Sequence, residues 1–142
     1  MAPRDVLAYV GVAGQLIAGH GFAAGDRHYE VVVEVAGPSP EGEGTALLGT
    51  ITLIFTHCVE VSYAARPEAL REDEAGVIGA IAEGSVALVE PSEAARRWTA
   101  ALGRPMHEAI LATAAYTLRL VFADIEVASA PAQSDWVGGA QP

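Results

Sequence analysis

His57-Cys58 is the dipeptide with the clearest reactive potential, because a thiol needs a neighbouring base or positive charge to become a thiolate at neutral pH. Consecutive side chains of a strand point to opposite faces, however, so His57 reaches Cys58 only if the backbone kinks there. Without that contact Cys58 reads as a buried structural residue, the common state of a free cysteine, and His57 as a corner residue hydrogen-bonded to backbone. Glu60 and Glu126 form a second candidate pair, each preceding a valine in similar apolar segments. Paired carboxylates divide acid and base roles when their surroundings separate their pKa values; the plainer reading places both on the solvent side of strands. A metal centre would need several of His20, His28, His57, His107, Glu108 and Asp124 to converge, and no His-Glu-x-x-His or Cys-x-x-Cys spacing marks one. No Gly-x-Ser-x-Gly elbow, phosphate loop or dinucleotide fingerprint occurs. The expectation is no metal, no cofactor and no catalytic residue.

Two segments must position these groups. Residues 51–63 place Ile51, Leu53, Phe55, His57, Val59, Val61 and Tyr63 on one face if their alternation is unbroken. Thirteen residues would make a strand of roughly 40 Å at about 3.3 Å each, longer than strands usually run, so a bend near His57 and Cys58 is expected. Residues 118–127 echo this segment with one residue fewer at the break. Leu118, Leu120 and Phe122 are even while Ile125 and Val127 are odd, and a bulge at Ala123-Asp124 would restore a common apolar face. The echo is attributed to the shared demands of two bent strands, since no flanking repeat is visible. If the bend encloses a pocket, its lining is Phe55, His57, Tyr63, His107, Phe122 and Asp124.

The remaining chain supplies the frame. Residues 5–18 fit either a helix capped by Asp5 and stopped by Gly19 or a strand, with the helix slightly favoured. His20 to Arg27 reads as a loop, and from His28 the alternation Tyr29, Val31, Val33, Val35 marks a half-buried strand. Residues 67–75 suggest a short acidic helix, 77–82 an irregular stretch and 85–89 a short strand. Ser92 after Pro91, Glu93, and the spacing of Ala94, Ala95, Trp98, Ala101 and Leu102 before Gly103 predict a helix over 92–102 that buries the Trp98 indole against the sheet. His107 to Thr113 resumes strand-like residues. Residues 131–142 have the composition of a tail, in which Trp136 is a candidate interface residue.

The chain has 142 residues, 51% of them hydrophobic and 18% charged, which excludes a disordered chain and implies a single globular domain over 1–130. Its formal charge of −10 disfavours nucleic acid and anionic membranes and allows a basic protein partner, although solubility alone would account for the acidity. Residues 6–25 carry no formal charge, but their glycines, Gln15 and His20 argue against a membrane span. One cysteine excludes an internal disulfide and makes a cytoplasmic setting the default. The fold expected is α+β: an antiparallel sandwich or strongly bent sheet, with the 92–102 helix packed on it and a second helix near the N-terminus. The function expected is that of a non-catalytic acidic binding or assembly protein, self-associating or masking a basic partner as an immunity protein does. A small-molecule binder or enzyme with its pocket at the bend is the alternative.

Overall fold

The computed structural model describes residues 3, 16–23, 27–39, 42, 44–65, 81–113 and 116–131. Tyr29, Val31 and Val33 are buried while Glu30, Val32 and Glu34 are half-exposed, the alternation a strand imposes when one face meets a core. The described elements run β1 (Leu16–Phe22), β2 (Tyr29–Pro38), β3 (Thr45–Thr56), β4 (Glu60–Ala65), β5 (Ile81–Leu88), α1 (Glu93–Leu102), β6 (His107–Thr113), β7 (Tyr116–Phe122) and β8 (Asp124–Pro131). The strands form two four-stranded sheets, ordered β1-β2-β3-β8 and β4-β7-β6-β5, and every neighbouring pair is antiparallel. The inner faces of both sheets feed one buried cluster, with Val31, Val33, Leu53 and Phe55 from the first and Leu111, Leu118, Leu120 and Phe122 from the second.

The long central segment does more than bend: it changes sheets. β3 ends at Thr56, His57 takes a φ of 49°, and the Val59 amide donates to the Val121 carbonyl at 2.8 Å as the chain enters the second sheet. The echo segment crosses the other way at Ala123, whose amide donates to the Thr56 carbonyl at 2.8 Å. The two segments therefore lie side by side through both sheets. Thr56 faces Asp124 and Glu60 faces Val121, so His57, Cys58 and Val59 on one segment span the corner against Phe122 and Ala123 on the other. That is why the echo is one residue shorter. The expected break at Ala123-Asp124 is thus the corner at which Phe122 and Ile125 both reach the common core.

The flanking strands repeat as well, which the sequence does not display. β1-β2-β3 form a meander whose fourth strand joins the second sheet, and β5-β6-β7 form a meander whose fourth strand joins the first. The registers correspond: Tyr29 pairs with Phe55 as His107 pairs with Phe122, and Val31 with Leu53 as Ala109 with Leu120. Only the connections differ. β1 and β2 are joined by a tight loop closed by the Ala23 amide on the His28 carbonyl at 2.8 Å, whereas β5 and β6 are joined through α1.

Ser92 caps α1 by accepting from the Ala95 amide at 3.0 Å, and Gly103 ends it at φ 70°, a left-handed conformation that glycine adopts without a Cβ clash. Ala95 is buried and Ala94 and Trp98 are half-buried, but Ala101 and Leu102 are exposed, so only the N-terminal part of the expected apolar stripe is used. The expected N-terminal helix is not supported. Residues 16–18 belong to β1, where Ile17 pairs with Val33 and packs against the core, and the rest of 5–18 lies outside the described residues. His20 to Phe22, expected in a loop, continue that strand, and residues 81 and 82 join β5. The expected helix over 67–75 and Trp136 also lie outside the described residues.

Candidate functional site

The residues expected to line a pocket at the bend separate into three places. Phe55 and Phe122 are fully buried and meet edge to face, with centroids 4.9 Å apart. His107 joins Phe122 from β6 with its ring 6.0 Å away. His57 and Asp124 are both exposed at the corner, where His57 faces His28 at 6.3 Å and Asp124 Oδ1 accepts from the Ile125 amide at 2.9 Å. Tyr63 stands apart on β4, 56% exposed.

Cys58 is fully buried within the core, and its thiol donates to the Glu60 carbonyl at 3.5 Å. Burial pushes the thiol up to about 11, so it is protonated and unreactive at neutral pH. A thiol reagent at pH 8 is therefore expected to label Cys58 only after denaturant is added. Stoichiometric labelling of the native chain within minutes would contradict this placement.

Tyr63 belongs to an aromatic group that closes the β1/β4 edge. The His20 ring lies 5.9 Å from Tyr29, 5.9 Å from Tyr63 and 5.3 Å from Tyr116, so the group draws on both sheets. His20 Nδ1 is 2.6 Å from the Tyr29 hydroxyl, which donates to the neutral ring when its proton sits on Nε2. Burial lowers the His20 pKa from 6.5 and raises those of Tyr29 and Tyr116. Because the unfolded chain then takes up the His20 proton first, stability should be full above pH 6.5 and fall as the pH drops below it towards the folded value. Denaturant midpoints measured from pH 7.5 to 5 should show this fall, and His20→Gln should reduce it; an identical profile in the variant would contradict it.

The outer faces of the two sheets carry the more specific arrangement. On the second sheet Glu108, Val121 and Glu60 lie in one row across β6, β7 and β4. Glu108, 3% exposed, accepts from the Ser92 hydroxyl and is paired with Arg119, while Glu60 accepts from Trp98 Nε1 at 2.7 Å. Val121 packs with Met106 and Ala123 beneath Ala94 and Trp98. The row is thus the seat of α1. On the first sheet Glu30, Ile54 and Glu126 occupy the corresponding row across β2, β3 and β8. Among the described elements no helix lies on it.

Charge is divided in the same way. The chain has no lysine, and its arginines fall outside β1, β2, β3 and β8, which carry Glu30, Glu34, Asp124 and Glu126. Arg96 and Arg97 lie on α1 and Arg119 on β7. The sequence shows the kinship of Glu60 and Glu126, but it offered Glu108 only as a candidate metal ligand and did not single out Glu30. The available signal was a glutamate next to an aromatic or imidazole ring at the start of each second strand, Tyr29-Glu30 and His107-Glu108.

A cleft of about 280 Å³ opens beside the N-terminus of α1, lined in part by Leu88, Ser92, Met106, His107 and Glu108. It contains only His107 of the residues expected at a pocket. No group of residues suited to hold a metal occurs among the described residues, and no helix among them is long and apolar enough to cross a membrane.

The described residues define a mostly antiparallel β protein of two sheets with one helix, and within the strands of the first sheet the charged side chains are all acidic. Residues 76–136, from just before β5 to beyond β8, are similar to a family described as YxiG-like protein. The match covers the second topological half of the chain, including α1 and Glu108. No curated protein and no solved structure matches the chain.

Proposed function

We propose that this chain is a non-catalytic binding protein, a β sandwich that presents an acidic face to a basic protein partner. The observation that supports this reading is the one-sided charge of the first sheet, where Glu30, Glu34, Asp124 and Glu126 stand on strands without a single arginine or lysine. A face of one sign on a chain of net charge −10 attracts a basic partner over about one Debye length and raises its association rate. It equally repels nucleic acid and anionic membranes. An acidic blocker that covers the basic working surface of another protein is the concrete form of this function.

The test is kinetic. A partner captured on the immobilised chain should associate more slowly as salt rises from about 50 to 500 mM, while its dissociation rate changes less, the signature of electrostatic steering. An association rate indifferent to ionic strength would remove the basis of the proposal.

A further inference from the structure

The row Glu30-Ile54-Glu126 has a counterpart in the same molecule that shows what such a row holds. On the second sheet a carboxylate, an apolar side chain and a second carboxylate, one from each of three adjacent strands, receive α1. Glu108 takes the Ser92 hydroxyl, the cluster of Val121, Met106 and Ala123 meets Ala94 and Trp98, and Glu60 takes the Trp98 indole N–H. The spacing suits a helix: strands two apart are about 10 Å from each other, and six helical residues, the step from Ser92 to Trp98, advance about 9 Å. On the first sheet the β1–β2 connection is too short to supply a helix, and among the described elements none lies across the corresponding row.

We propose that the outer face of the first sheet takes an α-helix from a basic partner protein, laid across Glu30, Ile54 and Glu126 as α1 lies across Glu108, Val121 and Glu60. The helix would offer hydrogen-bond donors about six residues apart to the two carboxylates and a small apolar residue to Ile54. Its positive charge is set by the two carboxylates themselves together with Asp124 in the next outward row and Glu34 two rows away on the same face. Residues 67–75 are a poor occupant, since Glu68, Glu72, Asp73 and Glu74 outnumber Arg71 there and would be repelled. This inference rests on the proposed binding function and adds the site and the shape of what binds.

A peptide copied from residues 90–104 of the chain is the probe, because it contains Ser92, Trp98 and an excess of arginine over glutamate. It would be added to the full isotope-labelled chain while amide chemical shifts are followed. Saturable shifts are expected in β2, β3 and β8, and Glu30→Gln with Glu126→Gln should weaken the binding by about tenfold. Shifts absent from the first sheet, or affinity unchanged by the double substitution, would overturn the inference. Shifts confined to the second sheet would overturn it too, since the peptide would then be replacing α1. So would shifts in residues 1–15 or 66–80 caused by the double substitution alone, because a segment of the same chain would already hold the row. A natural partner whose association is salt-sensitive but leaves the Ile54 amide unchanged keeps the binding function and discards the helix site. Docking of the peptide beside a salt-insensitive partner does the reverse.

Discussion

Phe122→Ala is expected to destabilise the fold by about 3–5 kcal/mol, a large part of the 5–15 kcal/mol that usually separates folded from unfolded chains. Phe122 is fully buried, pairs in register with His107, meets the Phe55 ring edge to face and lies one residue before the crossing at Ala123. Removing its ring opens a cavity where both crossing segments are held, and the relief available to a sheet corner is small because each strand is fixed by its ladder. Phe122→Leu, which keeps most of the volume, should cost much less. Urea midpoints of the two variants give the comparison, and equal midpoints for alanine and leucine would contradict the packing described.

The second large effect concerns the carboxylate beneath α1. Arg119→Met should cost near the lower end of the about 3–5 kcal/mol typical of removing one partner of a buried pair, because Glu108 is left in the core with Ser92 as its remaining described side-chain donor. The lower end applies because the Arg119 side chain is 49% exposed and part of its charge is already screened by water. Glu108→Gln should cost less, since the surviving arginine can turn to solvent. The double variant should therefore be more stable than Arg119→Met alone. A double variant as unstable as the sum of the two single changes would show that the pair does not interact.

The strands around the core were legible from apolar residues at period two, which burial follows closely in β2; in β6 and β7 it does not, because α1 also buries Glu108 and Val121 on the outer face. The bend near His57 was legible from length alone. What the sequence could not display was that the bend is an exchange of sheets, because a strand crossing a corner keeps the same apolar alternation as one that merely curves. The topological repeat was hidden for a related reason. Its equivalent residues, Tyr29 and His107, or Val31 and Ala109, share a position in the ladder but not a chemistry.

The N-terminal misreading has its own cause. The bulge between Ile17 and Gly19 disturbs the alternation of β1, and with Phe22 half exposed at its end the strand lacks a continuous apolar face. The pocket residues diverged because alternation assigns a face but not a depth. Phe55, His57 and Tyr63 share a parity, yet the corner turns His57 to solvent and the sheet edge leaves Tyr63 at the rim. For α1 the caps were readable, but the seat was not: Glu60 and Glu108 come from strands far apart in sequence and meet the helix only through the register of β4, β7 and β6.

Association of a captured partner with the Glu30→Gln/Glu34→Gln/Glu126→Gln chain, measured beside the unaltered chain at low salt, tests the acidic face most directly. The account predicts a rate lower by about tenfold or more and a flatter dependence on ionic strength, with the fold and its denaturant midpoint retained. An unchanged rate with an unchanged salt dependence would contradict it.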